Sequence, residues 1–211
     1  MATDPGHDVQ RSVAHNPRVP LEVIIRLAGT AKIGRALLPR VAAASPAEVR
    51  ELAGSPDPAV RMLVAGRRDL PPEIRDALAA DPDAKVLKSI APHPGLSDRQ
   101  LRAMVDQHGV RVVTKVATNP DVSPALLEHL TRHRPPVRKA FREVARHHNA
   151  TAPALLACLT DRQARPIAAD HPALPPEVIA DLLSDEDWQV VEAAAANPSL
   201  PTSLMSKLMP W

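Results

Sequence analysis

The densest set of side chains able to do chemistry lies between Arg132 and His148. It holds the cations Arg132, Arg134, Arg138, Lys139, Arg142 and Arg146 and the imidazoles His133, His147 and His148, against one carboxylate, Glu143. If Val137–His147 is helical, Val137, Phe141, Val144 and Ala145 face a core. Arg138, Arg142 and Arg146 then stack four apart on a neighbouring stripe. Like charges at that spacing cost roughly 0.2–0.5 kcal/mol per pair, partly offset by Glu143 pairing with Lys139 or Arg146. Such a stripe is either a solvated face or a surface for an anionic partner. Arg134, Arg138, Lys139, Arg142 and Arg146 are therefore the candidate binding residues.

Other chemistry is thinly provided for. Cys158 is the single cysteine and sits in the apolar stretch Leu155-Leu156-Ala157-Cys158-Leu159, so neither a disulfide within the chain nor a thiolate metal site is expected. The seven glycines form no phosphate-binding loop, and no strand–turn–helix context supports a nucleophile or dinucleotide motif. His147, His148 and His171 lack a carboxylate or thiolate at diagnostic metal-ligand spacing. No metal and no cofactor are expected, and no catalytic residue is assigned.

The elements that position these residues follow from composition and repetition. Aromatics are limited to Phe141, Trp188 and Trp211, so the core must be built from Leu, Val, Ile and Ala. Strand formers are scarce while the 24 prolines far exceed the usual share of about 5%, which reads as many short helices with proline-marked starts. The N-terminus lacks an apolar signal-like stretch and no window approaches a membrane span of about 18 residues, which predicts a soluble, cytoplasmic chain. Residues 1–7 read as a flexible N-terminal segment.

One phrase recurs: a Val/Ile-Ala step, a polar residue, Asn-Pro or His-Pro, a further Pro, then a Leu-rich stretch. Val13-Ala14-His15-Asn16-Pro17 leads through Pro20 to Leu27, and Val116-Ala117-Thr118-Asn119-Pro120 leads through Pro124 to Leu130. Weaker copies start at Val64-Ala65, Ile90-Ala91, Ala169-Asp170 and Ala195-Ala196, and degenerate ones near Leu37-Leu38 and Val144-Ala145. The copies define about eight units of roughly 24–28 residues, a period at which each unit must lean on its neighbours for a core.

Within a unit, the first proline ends one helix and the second opens the next. Ser45-Pro46-Ala47-Glu48 and Ser97-Asp98-Arg99-Gln100 fit the capping box. His93, His148 and His171 fall at or near the Asn position, where an imidazole can bond to turn carbonyls as an amide does. Trp188 takes the place of Val60 or Val137 in its unit and is expected to fill the space between repeats.

The pattern V-(R)-x-x-V-A-x-N-P-x-x-P-x-x-L-L-x-x-L resembles the leucine-rich repeat variant (LRV) family over nearly the whole chain. The resemblance implies an all-α, right-handed superhelical solenoid in which each unit pairs an α-helix with a short α- or 3₁₀-helix, here one repeat domain over 1–211. Some members carry an N-terminal cysteine cluster resembling an iron–sulfur site; no cysteine precedes Cys158, so that feature is not carried over. The expected function is a non-catalytic interaction module that binds a protein partner. The alternative is an anion- or nucleic-acid-binding solenoid using the Arg138 stripe. Trp188 beside Asp185 and Asp187 also invites comparison with HEAT-like alkylpurine DNA glycosylases, but the scarcity of aromatics argues against a base-holding cleft.

Overall fold

A computed structural model describes residues 5–30 and 37–208. The described residues form sixteen α-helices and one 3₁₀ turn, with no strand. The chain divides into two compact units, residues 1–96 and 97–211.

The first unit contains α1 (Pro5–Ala14), α2 (Leu21–Thr30), α3 (Pro39–Ala42), α4 (Pro46–Ala53), α5 (Pro58–Ala65), α6 (Pro72–Ala79) and α7 (Ala84–Ile90). Of the segment 1–7 read as flexible, residues 1–4 lie outside the described residues and 5–7 begin α1. Helix α5 packs against α2, α4 and α7, and α4 against α6. The second unit contains α8 (Asp98–His108), the 3₁₀ turn Gly109–Arg111, α9 (Val113–Val116), α10 (Pro124–Thr131), α11 (Arg138–Arg146), α12 (Ala152–Cys158), α13 (Arg165–Ala169), α14 (Pro176–Leu182), α15 (Trp188–Ala196) and α16 (Thr202–Leu208). Here α9, α11, α13 and α15 pack in succession, and α10 packs on α12. In both units, alternate helices of the chain are therefore spatial neighbours.

Proline chemistry sets the helix boundaries. Pro46, Pro58, Pro72, Pro124 and Pro176 each stand at the first helical position, where the missing N–H costs nothing. Both expected capping boxes form, Ser45 with Glu48 and Ser97 with Gln100. The Arg40 guanidinium, with the Ser45 amide, pulls the Glu48 carboxyl down to about 2. Helix α8 stops at Gly109, whose φ of 48° an L side chain rarely adopts.

The core is aliphatic, as composition requires: Ile24, Leu52, Leu87, Ile90, Leu101, Leu126, Leu127, Leu155 and Ile179 are fully buried. Each such side chain is worth roughly 1.5–3 kcal/mol relative to exposure. One regularity of the repeat escaped the sequence reading. The residue three beyond the Asn position is buried in seven copies: Val19, Leu70, Leu96, Val122, Ala150, Leu174 and Leu200. Its N–H closes a turn onto the carbonyl at the Asn position, as in Val122 to Asn119, Leu174 to His171 and Leu200 to Asn197. The turn thus plugs an apolar side chain under itself, a signal present in the sequence as N-P-x-φ, where φ is an apolar residue.

Candidate functional site

The polar residues of the turns are tied to one another across the period. Asn197 accepts the Ser199 N–H on Oδ1 at 2.8 Å and donates through Nδ2 to the Ala169 and His171 carbonyls at 2.7 and 3.0 Å. His147 and His171 repeat this pattern with imidazole. The Asn149 N–H donates to His147 Nδ1 at 3.0 Å, so Nε2 carries the ring proton and donates it to the Asn119 carbonyl at 2.8 Å. His171 takes the Ala173 N–H at 3.1 Å and donates to the His147 carbonyl at 3.1 Å. The residue at the Asn position is therefore His147, and His148 stacks on its ring at 4.6 Å between centroids. Both nitrogens of His147 and of His171 are committed to backbone.

In the first unit Arg67 stands at the Asn position. It donates to the Val41 and Ala44 carbonyls at 2.6 and 3.3 Å and is held by Asp69, whose carboxyl it draws below its ordinary range. The eroded motif keeps its donor in another chemical form.

A second geometry recurs at two places in the chain. Arg61 grips Asp81 with Nε and Nη2 at 2.6 and 3.0 Å, and Asp81 also accepts the Asp83 N–H. Twenty residues apart in the same manner, Arg165 is ion-paired with Asp185, which accepts the Asp187 N–H at 2.9 Å. Asp187 then caps α15 by accepting the Gln189 N–H at 3.0 Å.

This chain of contacts fixes the turn that carries Trp188, and it corrects the register assigned to that residue. Asp57 and Asp187 cap their helices identically, so Trp188 corresponds to Pro58 and Val190 to Val60. Val190 is buried, while Trp188 is 68% exposed and fills no inter-repeat space. Val137 is displaced likewise: it precedes α11 half-exposed, and Ala140 is buried beside Phe141, Val144 and Ala145.

Trp188 borders a groove of about 1140 Å³ lying wholly within the second unit. Arg142 and Arg146 of α11, Arg162 of the turn between α12 and α13 and Arg165 of α13 line it, with Asp185, Glu186 and Asp187 on the side of α15. Of the five residues singled out from sequence, Arg142 and Arg146 reach the groove. Arg134, Arg138 and Lys139 are exposed beyond its lining. The helical spacing of Arg138, Arg142 and Arg146 holds, and Glu143 pairs with Arg146 at 3.6 Å. Sequence reasoning missed Arg162 and Arg165, which lie in a locally unremarkable stretch and join the site only because α13 packs beside α11.

Cys158 is buried, donates through Sγ to the Phe141 carbonyl at 3.3 Å, and has its thiol pushed up to about 12 by burial. No helix of the described residues is long and apolar enough to cross a membrane. No family model, curated protein or solved structure matches the chain.

Proposed function

We propose that the chain is a non-catalytic interaction module: about eight units stacked as a right-handed solenoid of the LRV type, acting in the cytoplasm on a protein partner. The observation that carries this reading is how the chemically capable side chains are used. His147, His171, Asn197 and Arg67 bond one turn to the backbone of another. Asp185 and Asp187 serve the turn before α15, and Cys158 is a protonated core thiol. What remains for a ligand is surface, and repeat arrays use extended surface for binding. The groove bordered by Trp188 supplies the aromatic and arginine groups that dominate protein interfaces.

The test is affinity capture from native extract, with and without nuclease, at rising salt. A discrete protein retained after nuclease is expected. Nucleic acid alone, lost steeply with salt, would instead favour the anion-binding alternative through Arg138, Arg142 and Arg146.

A further inference from the structure

The four arginines of the groove are not equivalent. Arg165 is neutralised by Asp185 and positions the Trp188 turn. Arg146 is 55% exposed and holds Glu143 only loosely, at 3.6 Å. Arg162 is exposed, and neither it nor Arg142 makes an ion pair among the described residues. Arg142 is half-buried, and its Nε is sealed from solvent without a hydrogen-bond partner. The Nε of Arg165 is sealed in the same way, so what sets Arg142 apart is a guanidinium on the groove lining that no carboxylate of the described residues neutralises. A guanidinium is shaped to take a carboxylate with paired N–H groups. On the other side, Trp188 offers an exposed aromatic face beside the exposed carboxylate of Glu186.

We propose that this groove docks an extended acidic peptide segment, its carboxylates on Arg142, Arg146 and Arg162 and an adjoining uncharged side chain laid on the Trp188 ring. The inference rests on the interaction-module reading and specifies the partner's chemistry. The mixed walls decide between polyanions. A nucleic-acid strand carries a charge at every link and would set phosphates against Glu186 and Asp187, whereas a peptide can place a neutral residue there. Trp188 is also a single stacking platform, while sequence-tolerant strand binding uses several.

The test is fluorescence anisotropy of the full chain with short labelled random peptide pools biased to Glu, biased to Lys, or uncharged, and with oligo(dT) of matching length. The Glu-biased pool should bind most tightly. Its affinity should fall about tenfold or more in Arg142→Ala/Arg162→Ala, and severalfold in Trp188→Ala. Trp188 and Arg162 are exposed, so Arg162→Glu and Trp188→Ala, each with an unchanged circular dichroism spectrum, guard against a folding artefact. Equal or tighter binding of the Lys-biased pool, the uncharged pool or oligo(dT) overturns the proposal. So does an absence of binding, or Glu-pool binding that the arginine variants leave unchanged. Protein captured equally by wild type and by Arg142→Ala/Arg162→Ala would remove this groove while leaving the module reading intact; capture of no protein would remove that reading itself.

Discussion

Replacing His147 separates the two things its ring does. The side chain is 8% exposed, receives the Asn149 N–H and donates to the Asn119 carbonyl, so His147→Ala strands the Asn149 donor and leaves the Asn119 carbonyl without its imidazole donor, though still bonded by the Val122 N–H. At roughly 1–3 kcal/mol for a buried group left unpaired, the expected loss is about 1–3 kcal/mol. His147→Asn can restore both bonds, because Asn197 makes that pair of contacts in its own copy, and should cost under about 1 kcal/mol. A pH dependence accompanies this. Burial, reinforced by His148 and His171, holds the His147 imidazole below its ordinary value despite the bond to Asn119. Its contribution is therefore fully present above about 6.5 and is lost progressively as the pH falls from there through the lower value of the folded ring, because the unfolded ring takes up a proton that the folded ring resists. Urea unfolding of the three proteins at pH 7.5 and pH 5.5 (about one unit either side of the ordinary value) measures all of this. His147→Asn should unfold near wild type at the higher pH and lose less on acidification. Equal losses for the Asn and Ala variants, or an unchanged pH slope, would refute the amide-like role of the ring.

Native Cys158 should resist thiol reagents at pH 8 and react only as fast as the chain unfolds, since the thiol is buried and raised to about 12; prompt labelling by the reagent would contradict this. Arg61→Met leaves the carboxylate of Asp81, 4% exposed, without its bidentate partner, and should cost about 2–3 kcal/mol in urea unfolding, whereas a neutral result would show the pair to be dispensable. Gly95→Ala forces an L side chain to φ 79° and against the Arg75 guanidinium, so a loss of about 1–2 kcal/mol is expected by the same measurement. Ser45→Ala removes one arm of a formed capping box and should cost about 1 kcal/mol, while Ser45→Asp should retain most of it.

Much of the fold was legible because it is written in local chemistry. Proline positions, the Ser45 and Ser97 caps and the aliphatic composition act within a few residues of themselves, and each acts as read. The amide-like use of histidine was also legible, since the imidazoles stand where asparagine stands in better copies; the shift from His148 to His147 is one residue of uncertainty in an eroded copy. Trp188 shows why periodicity alone falls short. Apolar spacing allowed it to be matched to Val60, but the capping aspartate sets the register, and Asp187 places the indole two residues outside the core. The groove was legible only in its α11 half. Arg162 and Arg165 become its neighbours through helix packing, and nothing in their own spacing announces it.

The most direct test of the central claim is a hydrogen-exchange footprint of the captured complex against the free chain. The account predicts that residues 142–146, 159–167 and 185–189 gain protection together, because these three segments line one groove. Protection confined to other segments, with those three unchanged, would contradict it.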